Sequence, residues 1–280
     1  MSDPLPLPLR VLVKGASTVH TVSWMGGPRS DFAYPRATEA ALYAAGVPTE
    51  VRCTAMSSQR TKTGLATWEA ETFSWSPDVV VLNYGHFETI HLFLPQRLER
   101  HVHHMGDRPG RFQTPYRTTM RKIWRLLARL QQRVDERAPH TMFKHRPRRV
   151  ADDLVRLIVR TQMIGSPLVF VMELTTPGKS FRKWFPGMAD RLEVMNSALA
   201  DVVRRVDLPN VRYFPTNTVL ASLMANGEEV NPDGGHYTPE AHRMIGQELA
   251  SIIIEWAGQE GLISTTDISA LDREIRALPE

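Results

Sequence analysis

Two short stretches of this chain hold residue types that could do chemistry together: Gly15-Ala16-Ser17-Thr18 near the N-terminus and Asp233-Gly234-Gly235-His236 near the C-terminus. A serine hydroxyl is a weak nucleophile until a base takes its proton, and an imidazole base works best when a carboxylate orients it. Asp233 and His236 are three residues apart, and the two glycines between them let the chain turn tightly enough for both side chains to face one cleft. Ser17 follows a glycine at the end of an apolar run, where a strand-to-helix turn would present its hydroxyl beyond the carboxyl end of a parallel sheet. Each residue also has a plain structural reading. Ser17 could cap a helix, Asp233 could form a turn before glycine, and His236 could be a buried, hydrogen-bonded histidine.

The elements that must position these residues are visible as alternating apolar runs and helix-forming segments. Leu9–Lys14 (LRVLVK), Glu50–Cys53, Val79–Asn83 (VVVLN), Pro167–Glu173 and Val211–Phe214 read as strands, with Cys53 a buried strand residue. Tyr34–Ala45, Leu65–Trp75, Asp152–Arg160, Met188–Val206 and Pro239–Trp256 read as helices, and Pro139–Arg149 as a Pro- and Arg-rich loop. Strands alternating with helices imply a parallel sheet covered on both faces. The expectation is a three-layer α/β/α sandwich, one domain over residues 1–280, with an insertion at about 90–150 forming a cap.

That insertion carries the charge asymmetry. The net charge is +4, yet between Arg97 and Arg149 fifteen Lys or Arg face only four Asp or Glu, so the rest of the chain is mildly acidic. Tyr116, Met120, Ile123, Leu127, Leu130 and Val134 recur at alternating spacings of four and three, the apolar face of one long helix. Arg117, Arg121, Arg125, Arg129 and Arg133 lie off that stripe. The stripe reads as core or cap packing. The arginines read as a solvated face or as an electropositive lid for a phosphate or carboxylate. No nucleic-acid motif accompanies them, so no nucleic-acid partner is expected. His101, His103 and His104 lack a carboxylate partner in a segment that repels cations, and no metal is expected there. A single cysteine excludes an intrachain disulfide and cysteine-based zinc frameworks. No apolar run is long enough to span a bilayer, and the opening residues lack the pattern of a secretory signal. A cytoplasmic location is the resulting expectation.

A strand followed by Gly-x-Ser near the N-terminus, with Asp233-x-x-His236-x-x-Pro239 before a closing amphipathic helix, resembles the SGNH (GDSL-like) serine-enzyme superfamily. The resemblance implies Ser17 as nucleophile, His236 as base, Asp233 as its orienting partner and the Ser17 N–H as part of an oxyanion hole. It also implies contributions to the oxyanion or substrate-binding region from Ser58, Gly85, His86 and Glu88, of which His86 and Glu88 also have a plain reading as loop residues. Two departures stand out. Ala16 replaces the usual acid of Gly-Asp-Ser, and Phe87 stands where the family has its oxyanion asparagine. Losing one such donor typically costs about 10²–10³ in rate, and His86 is a substitute close at hand.

Asn83-Tyr-Gly-His-Phe-Glu88 and Ile90-His-Leu-Phe-Leu-Pro95 further resemble the mycobacterial octanoyltransferases of methylglucose lipopolysaccharide synthesis. This implies an acyl-CoA or acyl-ester donor as substrate, a sugar or sugar-glycerate hydroxyl as acceptor, and no bound cofactor. A carboxylester hydrolase that releases the acyl group to water is the first alternative. A non-catalytic ligand-binding protein on the same scaffold is the second, and would account directly for Ala16 and Phe87.

Overall fold

A computed structural model of the chain describes residues 7–20, 33–56, 59–90, 113–137, 143–179, 182 and 185–263. Ser58 and the histidines at 101, 103 and 104 lie outside the described residues, as does much of the expected cap.

Five strands, β1 (Leu9–Gly15), β2 (Thr49–Cys53), β3 (Val79–Asn83), β4 (Leu168–Met172) and β5 (Val211–Phe214), form one parallel sheet in the order β2-β1-β3-β4-β5. β3 and β4 are buried along their whole length, as strands covered on both faces must be. Side chains alternate between two apolar layers. Val11, Val13, Val79, Val81, Phe170 and Phe214 pack beneath α1 (Tyr34–Ala44) and the closing helix of the chain, Pro239–Gln259. Leu12, Val80, Leu82, Val169 and Val171 pack beneath residues of Arg146–Gln162 and Met188–Val206. The result is the three-layer α/β/α sandwich expected from the alternation.

The remaining helices in chain order are α2 (Thr61–Ala66), α3 (His86–Ile90), α4 (Gln113–Arg137), α5 (Arg146–Gln162), α6 (Met188–Val206), α7 (Thr216–Val219), α8 (Ala221–Ala225) and α9 (Pro239–Gln259). Local chemistry sets several boundaries. Pro35, Pro147 and Pro239 occupy first-turn positions, where a missing N–H costs nothing. Thr238 caps α9 by accepting the Ala241 N–H at 3.3 Å.

Four expectations need correction. Residues 146–149, expected in the Pro- and Arg-rich loop, are the first turn of α5, where Pro147 is tolerated. The helix expected over Leu65–Trp75 is instead α2 followed by a π turn over Glu69–Phe73. That wide turn carries Glu71, whose carboxylate pairs with the fully buried ammonium of Lys14 on β1. Cys53 is exposed, since it ends the edge strand β2. On α4, finally, the expected apolar stripe is not the buried face. Of its described side chains Ile123 and Leu130 are exposed and Leu127 and Val134 half-buried, while Gln131 and Asp135 are buried.

Candidate active site

Strands β1 and β3 are neighbours, with Gly15 opposite Asn83. In a 2-1-3-4-5 sheet their carboxyl ends flank the point where the strand order reverses, the usual crevice for a ligand. The approach there is close. A Cβ on Gly15 would stand 2.4 Å from the Asn83 carbonyl oxygen, so only glycine fits. The Ala16 N–H donates to the same oxygen at 3.2 Å. The chain then makes one 3₁₀ turn over Ser17–Val19, which leaves Ser17 half-buried at the crevice. Among the described residues, neither the Ser17 hydroxyl nor its main-chain N–H has a hydrogen-bond acceptor.

Asp233 and His236 are brought together. His236 Nδ1 lies 2.7 Å from Asp233 Oδ2. The other carboxylate oxygen accepts the main-chain N–H groups of Gly235 at 3.0 Å and His236 at 2.8 Å. Burial alone would raise the Asp233 pKa. The hydrogen bonds from the His236 ring and from the two amides outweigh it and hold the carboxyl at about 2. Asp233 is therefore ionised near neutrality and fixes the ring through Nδ1, which leaves Nε2 as the nitrogen able to take a proton.

Gly85 adopts φ +108°, and a Cβ there would press on Leu174 and Met195 at 3.2 Å. This turn sends His86 towards the Asp233–His236 loop. A Cβ on Gly235 would meet His86 Cε1 at 3.6 Å. His86 is buried, and desolvation, aided by nearby His236, lowers its pKa to about 4 against the opposing pull of the Gly234 main chain and Asp233. Its ring is neutral near pH 7, and Nε2 is buried with no partner among the described residues. Glu88 points elsewhere. Its carboxylate accepts the Thr61 N–H at 3.0 Å, and burial raises its pKa. Phe87 packs under the Arg60 guanidinium, 5.4 Å from the ring centre.

Several residues at the site were not singled out from the sequence. Thr18 donates its hydroxyl to Asn83 Oδ1 at 3.2 Å, and Asn83 Nδ2 donates to the Tyr34 hydroxyl at 3.3 Å. The Tyr34 N–H donates to His242 Nδ1 at 3.1 Å, and Tyr237 stacks edge-on against the His242 ring. This chain of contacts ties the turn carrying Ser17 to the first turn of α9, next to His236. The available signals were an asparagine ending an otherwise apolar strand and a histidine on the buried face of an apolar helix.

No family model matches the chain, and no curated protein matches it. Solved structures do. A lipase/acylhydrolase from Enterococcus faecalis superposes with a TM-score of 0.57 at 15% identity, covering 88% of this chain and 95% of that one. A protein assigned as a GDSL-like lipase from Parabacteroides merdae gives 0.55 at 13% identity, over 93% and 99% of the two chains. A carbohydrate acetylesterase from Sinorhizobium meliloti gives 0.54 at 12% identity, over 89% and 99%. The chain therefore has the fold of the GDSL/SGNH esterases and lipases.

Proposed function

We propose that this protein is a serine-dependent acyl-transfer enzyme of the SGNH type. The observation that carries the reading is the Asp233–His236 pair, with the second carboxylate oxygen locked by two amides, on a fold that sets Ser17 after β1. In this reading Ser17 Oγ attacks the donor's acyl carbon as its proton passes to His236 Nε2. The Ser17 N–H helps to hold the oxyanion. Collapse of the tetrahedral species breaks the bond to the leaving alcohol or thiol, which departs with the proton from His236. An acceptor hydroxyl then gives its proton to His236 and attacks the acyl-Ser17 ester; the bond from the acyl carbon to Ser17 Oγ breaks as His236 returns the proton to Oγ, restoring the free serine. In unliganded serine enzymes the nucleophile–base hydrogen bond is commonly long and tightens only with substrate bound. The Ser17 hydroxyl, without a partner among the described residues, agrees with that.

The acceptor decides the reaction. A sugar or sugar-glycerate hydroxyl makes the protein an acyltransferase, as the octanoyltransferase resemblance implies, and the basic segment suits a phosphorylated thioester donor such as acyl-CoA. Water makes it an esterase, the activity named for the acetylesterase and lipases that share the fold. Wild type and Ser17→Ala incubated with medium-chain acyl-CoA and acyl esters, with and without glucosylglycerate, separate the readings by intact mass and product analysis. The expected result is an acyl adduct on wild type alone that moves to the sugar, with Ser17→Ala at least about 10³-fold slower. Rapid release of free acid regardless of sugar establishes the esterase. Absence of both adduct and Ser17-dependent turnover overturns the enzymatic reading.

A further inference from the structure

Helix α4 exposes an unusual pair of surfaces. Ile123, Leu126 and Leu130 are 39%, 67% and 47% exposed. At 100° per residue they share an arc of roughly 60°. Lys122, Arg125, Arg129 and Arg133 are also exposed and form the adjoining arc, with Glu136 as the one exposed acid from Lys122 to Arg137. The orientation is fixed from behind. Gln131 donates to the Ile90 carbonyl on α3, and Asp135 pairs at 2.6 Å with Arg191 of α6, both side chains fully buried. Two anchors one helical turn apart set the rotation of α4 about its axis, so the leucines are held in the outward position.

We propose that this outward face docks on an anionic lipid surface. A membrane interface is the environment that satisfies both arcs at once: acyl chains take the leucines and isoleucine, and lipid phosphates take the arginines. A soluble polyanion or a nucleic acid would engage the cations but leave Leu126 and Leu130 against polar groups. A second copy of this chain docked two-fold on the same face would set arginines against arginines. The docking does not depend on Ser17 chemistry.

The test uses the full-length Ser17→Ala protein, so that binding is read without turnover, in co-sedimentation with vesicles of phosphatidylcholine alone or with phosphatidylglycerol added. Pelleting with the anionic vesicles is expected, weakening with added salt. Neutralising one arginine, as in Arg129→Gln, should cost roughly fivefold. Leu126→Ser with Leu130→Ser should weaken binding by roughly tenfold or more, with unchanged circular dichroism and, on the wild-type background, unchanged hydrolysis of a soluble short-chain ester. Failure to pellet with anionic vesicles at low salt overturns the proposal. So does binding indifferent to the leucine changes, which would point to a soluble polyanion, and so does a dimer that the leucine changes dissociate.

Discussion

His86, at the start of α3, and His236, on the loop before α9, are two imidazoles in different surroundings. His236 has a carboxylate at Nδ1. His86 is buried without one, and desolvation holds it neutral down to about pH 4. His242, also buried and bonded to the Tyr34 amide, is held lower still, at about 3. Linkage turns this into a prediction about acid stability. A histidine with a depressed folded-state pKa contributes stability that is intact above its unfolded value, about 6.5, and is lost as pH falls through the folded value. Wild-type urea midpoints should therefore drop between about pH 6.5 and 4. His86→Gln, which cannot take up a proton, should flatten that slope. An unchanged slope in His86→Gln and in His242→Gln would show that neither imidazole is buried neutral. Asp233, held at about 2, has a separate window: its contribution persists above about pH 4 and is lost only below that.

At the scale of elements, the site depends on how closely β1 and β3 approach at their carboxyl ends. Gly15→Ala would force a Cβ to 2.4 Å from the Asn83 carbonyl oxygen, so the strands must part where the Ser17 turn begins. Overpacking of this kind costs about 1–3 kcal/mol. The expected outcome is a lower Tm together with a fall in turnover larger than the stability loss explains, because the Ser17 turn and the Asn83–Tyr34 contacts move together. A stable, fully active Gly15→Ala would show that the close approach is dispensable. Most of this framework is legible in sequence. Val79–Asn83, Met188–Val206 and Val211–Phe214 fall at the bounds read from their apolar runs and periodicity. The short helices α3, α7 and α8 are not, since four or five residues carry no period. The Asp233–His236 hydrogen bond follows from a local spacing and was readable. The Thr18–Asn83–Tyr34–His242 chain was not, because its bonded partners are up to 208 residues apart and only the fold brings them together. The choice of buried face on α4 has the same cause. Gln131 and Asp135 turn inward for Ile90 and Arg191, distant partners that helical periodicity cannot show.

Across the whole molecule, that inward pair connects the long basic helix to the site. Arg191 Nη1 holds Asp135 on α4, and Arg191 Nε donates to the Thr89 carbonyl on α3 at 2.8 Å. Both ion-pair side chains are fully buried. Three elements far apart in sequence therefore share one guanidinium, and α3 begins with His86 beside the Asp233–His236 loop. A buried ion pair gains little over an apolar pair of the same volume, because desolvating two charges offsets most of their attraction, but removing one partner strands the other. Asp135→Ala should therefore destabilise the protein by about 3–5 kcal/mol, as expected when a buried arginine loses its counter-charge. Asp135→Leu combined with Arg191→Met should recover much of that loss. The two variants should differ again in function. The double variant restores packing but still lacks the donor to the Thr89 carbonyl, so its turnover should stay below wild type even where its urea midpoint recovers. Recovery of both together would mean that the buried pair serves packing alone. Recovery of stability without activity would show that Arg191 transmits the position of α4 to α3, and hence to the loop that carries the candidate base.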